Sequence, residues 1–186
     1  MSESKLKFPT EIVELPSKGI VYPKENPLSS GKIEMKYMTA REEDILTNQS
    51  YISNGTVLDK LLETLIVSKI NYNDLVVGDK NALLIAARIL GYGNDYEFTW
   101  RNEKVKVDLS ILDNKKLDKK QFEQGKNEFN FKLPKSEVLI TFKLLTHDDE
   151  QKIEKELKGL KKLNPNASVD LSTRLKYMIL SVDGSS

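Results

Sequence analysis

The patterning of the chain predicts an α+β fold: a small antiparallel sheet packed by several helices, with an extended Pro-rich N-terminal arm and a C-terminal helical hairpin packed on the core. Two observations lead to it. Apolar–polar alternation comes in adjacent pairs, at 96–100 with 105–109 and at 129–133 with 138–144, so strands return as hairpins instead of alternating with helices as βαβ units. The helix-period segment 79–90 is apolar almost all the way round, interrupted only by Lys80, Asn81 and Arg88. A helix with so little polar surface has to be covered on most sides.

Taken in order, residues 1–31 hold four of the six prolines, Pro9, Pro16, Pro23 and Pro27, each of which blocks helix and removes a ladder donor. Between them stand Phe8, Ile12, Val13, Leu15, Ile20, Val21 and Tyr22, with Ser17-Lys18-Gly19 as a turn. An arm with this many large apolar groups must lie against something, either its own domain as a strap or a partner. Residues 32–38 alternate Ile33, Met35 and Tyr37 with Lys32, Glu34 and Lys36, the period of a half-buried strand. Thr39 and Glu42 have capping-box spacing and open a short helix. Asn54-Gly55 marks a turn, and Thr56 with Asp59 forms a weaker cap for a helix whose face is Leu58, Leu61, Leu62, Leu65 and Ile66.

Asp79 reads as the start of the apolar helix, with Ile85, Ala86 and Ile89 innermost and Gly91 and Gly93 as its stop. The hairpin aromatics Tyr96, Phe98 and Trp100 read as core, and 112–126 as a mobile helical excursion or loop. Pro134-Lys135-Ser136 turns between the last two strands. Thr146 caps a charged helix with Ile153, Leu157 and Leu160 on one face. Asn164-Pro165-Asn166 breaks the chain before a last helix, capped by Ser168, whose buried side is Leu171, Leu175, Met178, Ile179 and Val182. There is no internal repeat. The expected division is 1–31 as the arm, 32–145 as the α+β core and 146–186 as the hairpin, and the native chain is free to continue past Ser186.

Composition narrows the function classes. Among 186 residues, 39% are apolar and 31% charged, and 29 Lys and Arg oppose 28 Asp and Glu. That balance argues against nucleic-acid binding, which normally shows a basic excess. No stretch approaches the ~20 apolar residues of a membrane span, and the N-terminus has no apolar signal core. With no Cys and one His there is no thiolate site and no histidine-based metal centre.

Four features are candidate sites. His147 beside Asp148, Asp149 and Glu150 reads as a general base with an orienting carboxylate, as part of a metal site or, with better support, as a helix start whose acidic residues suit the dipole. Gly91-Tyr92-Gly93 follows a helix instead of a strand, so helix termination accounts for it better than phosphate binding. The lysines Lys115, Lys116, Lys119, Lys120 and Lys126 are diluted by Asp113, Asp118 and Glu123 and read as a solvated face. The arm is the candidate partner-binding element, through Leu15, Pro16, Lys18, Gly19, Ile20, Val21 and Tyr22, since Pro16 and Pro23 pre-shape it. No catalytic, cofactor-binding or metal-binding residues are assigned, and the expectation is a non-enzymatic interaction protein.

Several segments carry a more specific signal. LPSKGIVYP at 15–23, NPLSSG at 26–31, KYMTAREEDIL at 36–46, VLDKLLETLI at 57–66 and DKNALLIAARILGYG at 79–93 resemble, in the same order, the T4-type phage baseplate hub protein family. The resemblance covers roughly residues 13–112 and beyond that only the pattern. It implies a protein needed to assemble the central baseplate hub of a contractile tail. Its partners would be other hub or tape-measure proteins, without membrane or nucleic acid, with oligomer formation open. It would act in the host cytoplasm during assembly, either staying in the tail baseplate of the virion or leaving as an assembly chaperone. Some relatives carry Cys pairs at a hairpin placed like 96–109; this chain has none, so no metal-bound hairpin is inferred.

Overall fold

A computed structural model describes residues 8–118, 122–164 and 168–185. The chain folds as α+β, and the described residues form six α-helices and seven strands in three small antiparallel sheets. Strand β1 (Thr10–Glu14) pairs with β2 (Lys32–Lys36), placing Val13 opposite Ile33. Then come α1 (Ala40–Leu46), α2 (Gln49–Asn54), α3 (Val57–Leu65) and the long α4 (Val77–Tyr92). Strands β3 (Asp95–Trp100) and β4 (Glu103–Asp108) form an isolated hairpin. The third sheet has the order β5 (Phe129–Lys132), β6 (Leu139–Phe142), β7 (Ile179–Val182), with α5 (His147–Leu163) and α6 (Asp170–Met178) between its last two strands.

The single sheet expected from the sequence is therefore three. The alternation identifies hairpins correctly but contains nothing that says which edges meet. The arm also differs from the extended, irregular segment expected, because β1 makes it one side of a hairpin whose loop is 15–31. Leu15 N–H donates to the Gly31 carbonyl at 2.8 Å and closes that loop. Inside it, Gly19 (φ 76°) and Gly31 (φ 69°) interlock: a Cβ on Gly19 would stand 2.3 Å from the Ser29 carbonyl oxygen, and one on Gly31 would stand 2.7 Å from the Lys18 carbonyl carbon. Both conditions select glycine, the left-handed backbone and the close approach.

The main core is built by the loop (Leu15, Val21, Tyr22, Leu28), by β2 (Ile33, Met35), by α3 (Leu61, Leu62, Leu65) and by α4 (Leu83, Ala87). A smaller cluster lies under α5, around Leu145, Ile153 and Leu157, with Val77, Val169, Tyr177 and Met178 packed on it. Val77 N–H donates to the Leu145 carbonyl at 2.9 Å, and His147 N–H to the Leu75 carbonyl at 2.8 Å, joining the two clusters through backbone.

Two helices start by the same device. Lys36 at the end of β2 is followed by the Thr39 cap and Glu42; Lys143 just after β6 is followed by the Thr146 cap and Asp149. In each case the carboxylate accepts from the threonine's N–H and hydroxyl and from the lysine, at 2.8 Å for both lysines. Burial opposes the charge of Glu42 and of Asp149, but the lysine and threonine donors overcome it and hold both carboxyls below their usual range.

Helix phase departs from expectation in two places. In α4 the inward side is Asp79, Leu83 and Ala87, while Ile85 is exposed and Ala86 and Ile89 are half-buried. An all-round apolar helix has no strong face, so its phase is set by Asp79, a polar residue that faces inward. Asp79 is not the N-cap; that position is Val76. In α6 the inward side is Val169, Thr173 and Tyr177, spaced by four, and Leu171 is 71% exposed. The helix begins after Val169 without a side-chain cap, so Ser168 does not cap it. It ends at Met178, where the chain enters β7, so the last segment is helix and then strand, not simply the second half of a helical hairpin. Leu58 of α3 is likewise exposed.

These phases yield opposite outcomes for neighbouring substitutions. Ala87→Arg places an unpaired charge at a fully buried site and should cost about 3 kcal/mol or more. Ile85→Arg should stay within about 0.5 kcal/mol of the parent. Urea denaturation of both variants checks the assignment, and equal loss in the two would mean the helix is rotated from this position.

Candidate functional site

The residues expected to bind a partner are gathered on one loop, but they face the chain's own interior. Leu15, Gly19, Ile20, Val21 and Tyr22 are buried and Pro16 and Lys18 are half-buried. Of the two readings open for the arm, the structure places it as a strap on its own domain. Its fastening is Asp79. The Ser17 N–H donates to Oδ1 at 2.9 Å, the Ser17 hydroxyl to Oδ2 at 2.6 Å and the Tyr22 hydroxyl to Oδ2 at 2.6 Å. Tyr22 oxygen in turn accepts from Val76 N–H at 3.0 Å. Tyr22 is only 3% exposed. Burial first, and the Asp79 charge second, push its phenol far above the ordinary tyrosine range. Tyr22 is a neutral structural donor, not an exposed anchor. The other side of the loop is held by Gly125 N–H to the Ile20 carbonyl at 2.7 Å and Gln124 Nε2 to the Gly19 carbonyl at 3.1 Å.

His147 is buried between α3, α4 and α5. Its Nδ1 lies 3.2 Å from Lys80 Nζ, an ammonium that can only donate. Its Nε2 lies 3.0 Å from Gln151 Nε2, an amide nitrogen that also only donates, so a neutral ring accepts from one of the two neighbours and not from both. Tyr72 meets the ring edge-on, centroids 4.7 Å apart, and gives its hydroxyl proton to Asp59 at 2.9 Å. Lys80 pairs with Asp59 at 3.0 Å and Glu150 at 3.2 Å. Burial works against the Lys80 charge, but those carboxylates overcome it and raise its pKa. For His147 burial dominates and, with the Lys80 cation beside it, lowers the pKa despite Asp59 and Glu150. Both ring nitrogens face side chains of the fold, and the residue is only 2% exposed.

Elsewhere the geometry separates what the sequence grouped. Tyr96, Phe98 and Trp100, read as core, are all exposed on β3, because the hairpin has no second layer. Lys115 and Lys116 are exposed, Lys126 pairs with Glu123, and Lys119 and Lys120 lie outside the described residues. Gly93, with φ 79° and ψ 178°, follows the last residue of α4, whereas Gly91 lies inside the helix, so only one of the two glycines expected as its stop ends it. Two open depressions flank the strap. One, of about 540 Å³, is polar and includes Asn26, Asn71, Asp74, Thr146 and Asp148. The other, of about 290 Å³, is apolar and lined by Ile20, Val21, Phe122, Phe129, Phe142 and Leu144. Sequence reasoning missed the second because its walls come from three distant segments, although each contributing aromatic was visible. Among the described residues no group of three or more His, Cys, Asp or Glu side chains is placed to hold a metal, and no helix is long and apolar enough to cross a membrane.

Comparison of the chain with known protein families, with characterised proteins and with solved structures finds no match in any of the three.

Two outcomes follow from this geometry. Tyr22→Phe leaves Asp79 and the Val76 N–H each short of a partner in a buried site and should cost about 1–3 kcal/mol in chemical denaturation; an unchanged midpoint would show that water reaches Asp79. The lowered His147 pKa gives the second. Its neutral form is favoured by folding, so that contribution is complete above the unfolded value of about 6.5 and is lost as pH falls through the folded value. Denaturation midpoints measured from neutral pH down to about pH 5 should decline, and His147→Gln should flatten that decline. Parallel curves for the two proteins would remove His147 as the cause.

Proposed function

We propose that this protein acts without catalysis, through protein–protein contacts, in assembling the central baseplate hub of a contractile phage tail. The observation that supports this best is how the family-like segments are arranged. Residues 15–23, 26–31, 36–46, 57–66 and 79–93 are separate in sequence, yet they supply the strap, the end of β2, α1, α3 and α4, which surround one core. A resemblance concentrated in one folded unit is what common descent of a domain produces, whereas chance likeness has no reason to respect packing. The buried position of His147 and the nearly balanced charge support a contact role over an enzyme or a nucleic-acid-binding module.

A second reading is a chaperone that covers hydrophobic segments of the tape-measure or hub subunits and is absent from the finished virion. The apolar depression beside the strap favours it, since its phenylalanine walls suit a single large apolar side chain.

The full chain, tagged and purified from infected cells, should retain a hub or tape-measure subunit. Mass spectrometry of purified virions then separates the readings. Stoichiometric copies support the structural role, and absence from virions together with a retained subunit supports the chaperone. Retention of no tail protein at all would sink both.

A further inference from the structure

The chain's single histidine lies in the seam between the main core and α5. Two backbone bonds close that seam, Val77 N–H to the Leu145 carbonyl and His147 N–H to the Leu75 carbonyl. Val77 adds an apolar contact with the cluster of Leu145, Ile153 and Leu157. The elements around His147 contribute charged or titratable groups. Asp59 and Glu63 come from α3, the Tyr72 hydroxyl from the turn Tyr72–Asp74, Lys80 from α4 and Glu150 from α5. From α6, Arg174 stands 3.9 Å from Glu150.

One oxygen is shared within this group. Asp59 Oδ1 accepts from the Tyr72 hydroxyl at 2.9 Å, pairs with Lys80 Nζ at 3.0 Å and stands 3.8 Å from His147 Nδ1. A neutral imidazole accepts from one of its two donor neighbours, whereas an imidazolium accepts from neither. Turning the Gln151 amide gives an N–H on Nε2 an oxygen to meet. The Lys80 ammonium has no such alternative, so an N–H on Nδ1 and Nζ do not both stay at 3.2 Å. Retreat toward Glu150 does not take the ammonium away from the ring, since Glu150 lies one turn after His147 on the same helix. Imidazolium and ammonium therefore compete for Asp59 Oδ1. The conflict is relieved when α5, which carries the ring, moves away from α3 and α4, which carry Asp59 and Lys80.

We propose that His147 is an acid-sensitive latch: when the ring takes up a proton from solvent, the start of α5 parts from α3 and α4 while the main core stays folded. Parting the seam breaks the two backbone bonds and uncovers Val77. The main core keeps its own buried cluster, among it Leu62, Leu65 and Leu83, and its strap is fastened by Asp79, which has no histidine beside it. The sign agrees with the environment of the ring. Burial and the Lys80 cation keep the proton off in the closed state, and both are relieved on opening, so acid favours the open form. The inference does not rest on the hub reading.

Hydrogen exchange of the full chain, read by mass spectrometry and corrected for the intrinsic pH dependence of exchange, tests the latch. Below about pH 6.5, amides in 75–80 and 145–153 should lose protection by up to about tenfold per pH unit, while those in 28–36 and 61–65 keep theirs. His147→Gln should hold the protection of 145–153 constant over the same range. A single histidine also gives a single ring C2 proton resonance by NMR. Its midpoint should lie below about 6.5 in the parent, and Lys80→Met, which removes the competing cation, should raise it by about one pH unit or more. Four results would each overturn the proposal: equal loss of protection along the whole chain, the same loss in His147→Gln as in the parent, a parent midpoint at or above about 6.5, or no rise with Lys80→Met.

Discussion

A carboxylate taken out of water is costly unless donors replace its hydration, and Asp79 obtains those donors from the strap. It accepts from the Ser17 backbone, the Ser17 hydroxyl and the Tyr22 hydroxyl, and it lies in the first turn of α4, where the helix dipole favours negative charge. Much depends on this arrangement. It holds the loop 15–31 against α4, so Leu15, Val21, Tyr22 and Leu28 can close the core over Leu62, Leu65 and Leu83. It sets the rotation of α4, directing Leu83 and Ala87 inward. Through Tyr22 it reaches the Val76 N–H, at the point where the chain passes from the main core to the cluster beneath α5. The glycines at 19 and 31 serve the same end, since the loop must be compact enough to bring both Ser17 and Tyr22 to one carboxylate.

The interior polar groups are handled consistently. Glu42 and Asp149 each combine a threonine cap with a lysine from the preceding strand end, and Lys80 sits between Asp59 and Glu150 beside His147. Among the described residues no buried side-chain nitrogen or oxygen is left without a partner. Taking such groups out of water costs desolvation, which the hydrogen bonds and ion pairs within each network offset. Their effect here is directional. The lysine–threonine–carboxylate device fixes where a strand stops and a helix starts, twice, in segments whose apolar content alone would permit the boundary to slide.

The surface follows a different rule. Exposed apolar groups are scattered over many elements, among them Ile12 of β1, Trp100 of the β3–β4 hairpin, Leu163 at the end of α5 and Leu171 of α6. The interior polar groups are closed within the fold, while Tyr96, Phe98 and Trp100 stand exposed on a hairpin with no second layer among the described residues. The apolar content that first pointed to the strap as a recognition element serves the chain's own core instead.

The sequence alone determined the local elements whose physics is local. The Thr39 and Thr146 caps, the alternation of Ile33 and Met35, the termination at Gly93 and the β3–β4 hairpin depend on groups a few residues apart, and each is present. It also left the arm open between strap and partner-binding element with both readings physically sound. Tertiary structure decided the rest, because the deciding contacts span long separations. The Tyr22–Asp79 bond joins residues 57 apart and turns an apparent N-cap into an inward anchor. Leu171 and Leu175 follow an apolar pattern, yet Thr173 faces inward, since α5 and the entry into β7 govern that helix. Tyr96, Phe98 and Trp100 alternate as a core strand would. Periodicity reports that a face is apolar; only the arrangement of layers decides whether this molecule supplies its cover.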